Sequence, residues 1–258
     1  MSIITTCTAL ELQMRIKAFF SVVLCLLMFS CSKEGVTTSP DDHTSTERTI
    51  VDSGRIIVIL GSSTAYGTGA VPIDSSWVNL LNYQFKEDRK NVTIHNLALG
   101  GYTTYHIMPS NVPAPGGRPG ADLSRNLDKA LSFKPDLIII NLPSNDVTHG
   151  FSDKEILNNY HSICNEIKRN NVQYLITSTQ PRNFPDIHSR ERLAILNHLV
   201  NATFPGNTID FYNLLADVSL RIKPELNFGD GIHLNNRGHK IIFDEFLKDK
   251  RMRLVLGY

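Results

Sequence analysis

The chain lacks a charge excess of either sign, an apolar run long enough to cross a bilayer, and any paired metal ligands. Its 26 lysines and arginines stand against 25 aspartates and glutamates. A nucleic-acid binder would show a basic excess or stripe, so nucleic acid is not an expected partner. The main apolar run, residues 18–29, falls short of the ~20 residues that a comfortable bilayer crossing takes. No two histidines or cysteines stand at ligand spacing, so neither a metal nor another cofactor is expected. With no internal repeat, the 258 residues are material for one core and one domain.

What precedes that domain reads as an address. Arg15 and Lys17 flank the apolar run, which ends at Ser30-Cys31, the pattern of a secretory signal. Residues 1–13 add nothing such a signal needs, so Met14 serves equally well as its start. Leu27-Met28-Phe29-Ser30-Cys31 resembles a bacterial lipoprotein box, in which cleavage leaves the cysteine lipidated. Met28 and Phe29 are bulkier than that box usually carries, so a lipidated Cys31 and a freely secreted domain both stay open. Residues 1–30 are expected to be the signal peptide, 31–53 the lipid anchor and a polar, flexible linker, and 54–258 the folded domain. Any membrane contact then comes through the N-terminal lipid at the cell envelope. Cleavage also discards Cys7 and Cys25, which leaves Cys164 as core filler and no intrachain disulfide.

Within 54–258, short apolar runs alternate with helical spacing. Strands are expected at 56–60, 92–99, 137–142, 174–177 and 209–212, and helices at 77–85, 123–131, 156–167, 190–200 and 238–247. Strands rich in Ile, Val and Leu between helices predict an α/β fold, a three-layer α/β/α sandwich around a mainly parallel five-stranded sheet. Residues 109–120, with four prolines and three glycines, read as a loop.

Ligands of open parallel sheets bind beyond the carboxyl ends of the strands, and here those ends are small and polar. After the first strand comes Gly61-Ser62-Ser63-Thr64, a serine on a tight turn and so a candidate nucleophile. Leu99-Gly100-Gly101-Tyr102 follows the second, and Pro143-Ser144-Asn145-Asp146 the third. Near the C-terminus lies Asp230-Gly231-Ile232-His233. An aspartate three residues before a histidine can lie beside its imidazole, fix the tautomer and stabilise the imidazolium. Convergence of the four stretches assembles a nucleophile, backbone donors, a side-chain amide and a base.

In order and spacing, these stretches resemble the four blocks of the SGNH/GDSL hydrolases, over roughly residues 55–247. The resemblance implies a flavodoxin-like sandwich and a serine carboxylic-ester hydrolase. It implies Ser63 as nucleophile, His233 and Asp230 as base and acid, and an oxyanion hole from the Ser63 and Gly101 amides and the Asn145 side chain. The expected substrate is an ester, with removal of acetyl groups from carbohydrates favoured. One alternative is a lysophospholipase or thioesterase acting on longer acyl chains, and another is an inactive glycan-binding surface lipoprotein. Two residues depart from the family pattern: Ser62 replaces the usual aspartate, and Ser144 stands where glycine is common. Ser144 either crowds the acyl side of the pocket or donates a hydrogen bond there.

Taken by themselves the residues allow other roles. Ser62 competes as nucleophile or bonds the turn backbone. Gly100 can stand in for Gly101, Asn145 can cap the next helix, and Asp146 can shape its loop without a catalytic role. Trp77 is expected in the core and His239 on the closing helix. Tyr102, Tyr105 and the 109–120 loop are candidate substrate walls. Arg182, in Gln180-Pro181-Arg182, either meets substrate or makes a structural bond.

Overall fold

Five strands form the middle layer of the structure, a computed structural model that describes residues 54–142 and 144–255. They are β1 (Arg55–Gly61), β2 (Val92–Asn96), β3 (Leu137–Asn141), β4 (Gln173–Thr177) and β5 (Thr208–Ile209). Their order is β2-β1-β3-β4-β5, and every pair is parallel. The expected signal at 1–30, Cys31 and the linker at 31–53 lie outside the described residues.

The helices are α1 (Ser63–Tyr66), α2 (Trp77–Glu87), α3 (Leu127–Ser132), α4 (Asn145–Thr148), α5 (Asp153–Arg169), α6 (Ile187–Thr203), α7 (Tyr212–Leu215), α8 (Asn236–Lys248) and α9 (Lys250–Val255). Side chains alternate across a strand, so β1 divides the core in two. Val58 and Leu60 join Leu127 of α3, Ile163 of α5 and Leu196 of α6 on one face. Ile57 and Ile59 join Trp77 and Phe85 of α2 and Ile242 and Phe246 of α8 on the other. These two clusters make the three layers. The chain winds from β1 outward to β2, then back past β1 to β3. That reversal puts α2 on the opposite face from α3, α5 and α6, as crossovers of one hand require. It also opens the crevice between β1 and β3, where such sheets bind ligands.

Three elements fall short of the sequence expectation by three residues or more, and at each boundary a polar side chain takes up backbone groups. β2 stops at Asn96 rather than residue 99, since the Asn96 side chain accepts from Ala98 N at 3.1 Å and donates to the Ala65 carbonyl at 2.8 Å. α3 starts at Leu127 rather than residue 123 because Asn126 caps it, accepting from Lys129 N; Leu123 is left exposed. The last strand ends at Ile209, where the Asp210 carboxylate takes the amide of Tyr212 at 3.0 Å and α7 begins. Cys164 is a free, buried core residue whose thiol burial raises to about 12.

Candidate active site

Ser63 opens α1 directly after β1, half-buried between buried Ser62 and Thr64. The tight strand-to-helix turn depends on Gly61. A Cβ there would lie 2.7 Å from Ala65 Cβ and 2.8 Å from the Asn141 carbonyl oxygen, so only glycine lets α1 fold back over the sheet. The Ser62 amide donates to the Asn141 carbonyl at 3.1 Å, while its hydroxyl makes no cap bond. Thr64 donates its hydroxyl to Gln180 Oε1 at 2.8 Å, and its carbonyl accepts from Trp77 Nε1 at 3.1 Å.

The glycine pair runs alongside. A Cβ on Gly100 would stand 3.9 Å from Ser63 Cβ, and Gly101 adopts φ +86°, a left-handed conformation that glycine alone takes readily. From the end of β3, Asn145 Nδ2 donates to the Tyr102 carbonyl at 2.9 Å, which ties α4 to the glycine turn. Asn145 is the first residue of α4 and not its cap; Ser144 holds the cap position, is buried, and makes no side-chain cap bond. Asp146 is buried too. Its carboxylate accepts from the Thr104 amide at 3.0 Å and the Thr104 hydroxyl at 2.5 Å. Burial outweighs those bonds and pushes the Asp146 carboxyl up to about 6.

The loop before α8 brings Asp230 and His233 together. Asp230 Oδ1 accepts the amides of Ile232 and His233, both at 2.8 Å, and Oδ2 lies 2.6 Å from His233 Nδ1. Burial raises the Asp230 carboxyl, but these amides and the imidazole overcome it, so it sits below the usual carboxylate range. The His233 side chain is 18% exposed and that of Asp230 37%. From β4's exit, Asn183 N donates to the Gly231 carbonyl at 2.8 Å and Gln180 Nε2 to the Ile232 carbonyl at 3.2 Å. Among the described residues no hydrogen bond joins Ser63 to His233 directly; their neighbours are joined through Gln180.

Residues 59–241 match one family profile, and with it come all four polar stretches. The chain belongs to the GDSL-like lipase/acylhydrolase family. An arylesterase of Vibrio mimicus is 32% identical over 112 residues, 43% of this chain and 48% of the relative, so the match spans about half of that protein's length. Among solved structures, a psychrotrophic esterase from Pseudoalteromonas sp., in a form inhibited by monoethylphosphonate, is 20% identical. Its TM-score is 0.58, over 78% of this chain and 98% of that one. An acetyl xylan esterase is 16% identical with a TM-score of 0.57, over 74% and 97%. At those identities the likeness speaks for the shared fold.

Several side chains read as substrate contacts in this GDSL-family sequence are otherwise occupied. Tyr102 is buried, stacks on His106 at 4.6 Å and bonds Asp122 through its hydroxyl; burial first, then Asp122, raises that phenol to about 12. Tyr105 is buried against Phe151, its hydroxyl 2.8 Å from Glu155. Both tyrosines are buried members of the hydrophobic cluster that also holds Ile156, Tyr160 and Ile163 of α5. Arg182 makes a structural bond, Nη1 to Thr148 Oγ1 at 3.0 Å, and lies over the Phe184 ring. Burial lowers its pKa against the pull of Asp230. Trp77 is in the core, stacked on Phe246, and His239 is buried on α8 with Nε2 on the Thr68 carbonyl. The inward role of Gln180 escaped sequence reading; its one signal is a buried-length amide just past an apolar strand.

Proposed function

We propose that this protein is a serine-dependent carboxylic-ester hydrolase with Ser63 as nucleophile. The Asp230–His233 pair carries the reading. With Nδ1 donating to Asp230 Oδ2 at 2.6 Å, the imidazole keeps its lone pair on Nε2, the nitrogen free to take a proton. His233 Nε2 takes the Ser63 hydroxyl proton as Oγ bonds to the ester carbonyl carbon. The carbonyl oxygen becomes an anion and receives the Ser63 and Gly101 amides and the Asn145 N–H that Tyr102 leaves unused. Collapse breaks the bond to the alcohol oxygen, which takes its proton from His233. Water then repeats the sequence on the acyl-enzyme and frees the acid. These steps call on no metal or other cofactor.

The acyl group we assign is small, acetyl above all, carried on a carbohydrate hydroxyl. Supporting this are family membership, the fold shared with an acetyl xylan esterase, and a proline- and glycine-rich 109–120 loop in place of an apolar lid. Export, with anchoring at the bacterial envelope through a lipid on Cys31, is part of the same proposal and rests on residues 15–31.

The test is fluorophosphonate labelling of the full chain and of Ser63→Ala, followed by rates on p-nitrophenyl esters of increasing chain length. We expect labelling that disappears with Ser63→Ala and rates that peak on acetate. Labelling that survives the substitution removes Ser63 from its role. A peak on octanoate or longer replaces the acetyl reading with a lysophospholipase or thioesterase. A folded chain that takes no label is a glycan binder on the same scaffold. Incorporation of a fatty-acid analogue that Cys31→Ser abolishes is the expected sign of the anchor.

A further inference from the structure

We propose that Gln180 is a positioning residue that sets the approach of His233 to Ser63; this rests on the roles proposed above for those two residues. Thr64 is the residue after Ser63, and Ile232 is the residue before His233. The Gln180 side chain spans them: Oε1 accepts from Thr64 Oγ1 at 2.8 Å and Nε2 donates to the Ile232 carbonyl at 3.2 Å. The three positions lie 116 and 52 residues apart in the chain, so nothing local holds them together.

The bridge is dry. Gln180 and Thr64 are each 2% exposed, and in such surroundings an unmade hydrogen bond is not replaced by water. Its chemistry is also narrow. One planar group must offer an acceptor to a hydroxyl and a donor to a carbonyl. A glutamate would turn an oxygen toward the Ile232 carbonyl, and an aliphatic side chain would leave both partners unpaired. Because no hydrogen bond joins Ser63 to His233 among the described residues, their separation is set by such indirect ties. The loop has other supports: Asn183 N on the Gly231 carbonyl at 2.8 Å and the Asp230 bonds to its own turn. Losing the Gln180 bridge therefore moves His233 without dismantling the loop. A misplacement of about 1 Å can cost about 100-fold in rate.

The experiment compares Gln180→Met, Thr64→Val, Thr64→Ser and the double variant Thr64→Val/Gln180→Met in the full chain. Turnover of p-nitrophenyl acetate is normalised to fluorophosphonate-reactive sites, with thermal melting alongside. Gln180→Met is expected to lower kcat by about 10- to 100-fold with KM changed less than about twofold. Thr64→Val should fall in the same direction, the double variant no lower than Gln180→Met alone, and Thr64→Ser should stay close to the parent. If Gln180→Met does not fold, the contrast between Thr64→Val and Thr64→Ser decides. An unchanged kcat in Gln180→Met or Thr64→Val, or losses that multiply in the double variant, overturns the proposal while Ser63 keeps its role. Activity retained by Ser63→Ala removes the underlying reading instead.

Discussion

The side-chain amide of Asn145 donates to the main-chain carbonyl of Tyr102 at 2.9 Å, across 43 residues of chain. One of its two N–H bonds is thereby fixed, which fixes the direction of the other. A preorganised donor of this kind stabilises a developing oxyanion without having to reorient. Asn145→Ala is expected to lower kcat by about 100- to 1000-fold. Steady-state kinetics with p-nitrophenyl acetate checks it, and a kcat within a few-fold of the parent removes Asn145 from the mechanism.

Asp230 is the second target. In Asp230→Asn the amide oxygen can still accept from Ile232 and His233, so the turn survives, but an NH2 then faces His233 Nδ1 and favours the wrong tautomer. A fall in kcat on the order of 10000-fold follows from the same change in a Ser-His-Asp triad, with thermal stability little altered. The natural carboxyl is held below the usual range, so it stays ionised well into acid and any support it lends the fold is lost only as pH falls through that depressed value. Parent-like turnover by a folded Asp230→Asn protein would show that the pair is structural only.

Asp146 behaves in the opposite sense. Burial raises its carboxyl from 3.8 to about 6, so the folded state holds the proton more tightly than the unfolded chain. Its contribution therefore grows as pH falls from about 6 toward 3.8, and above that window the ionised form costs stability. The full interval is worth up to ~3 kcal/mol. Melting curves of the parent and Asp146→Asn at pH 8 and pH 5 give the check: the parent should gain on the variant at the lower pH. A difference independent of pH contradicts the raised value.

Gly61→Ala tests the turn under Ser63. The added methyl meets Ala65 Cβ at 2.7 Å and the Asn141 carbonyl at 2.8 Å, neither of which can swing away. Overpacking of this kind typically costs about 1–3 kcal/mol. A lower melting temperature and slower fluorophosphonate labelling are expected together, because the same methyl lifts α1. Unchanged labelling would mean that the turn absorbs the methyl elsewhere.

Much of this layout was legible from pattern alone. The runs of β1, β3 and β4 are continuously apolar, the helical spacing around Trp77 and Ile163 is regular, and Asp230 and His233 are neighbours by local geometry. What escaped was whatever a distant polar partner decides. Nothing near Tyr102 announces that Asp122 will take its hydroxyl, nor does the stretch around Thr104 announce the buried carboxylate of Asp146. Leu123 looked like the start of a helix until Asn126 capped it. Pattern assigns Gln180 no partner, because its two partners stand 116 and 52 residues away in the chain.

The polar stretches that meet here leave β1, β2, β3 and β4 and the loop before α8, and only the Asp230–His233 pair is formed within a single stretch. Under the proposed function, hydrolysis is a gauge of side-chain order across the whole sheet edge. A collapsed state that kept its helices and strands but lost fixed packing would retain its far-UV circular dichroism and hydrolyse almost nothing. Wherever denaturant or acid separates the two signals, turnover disappears first.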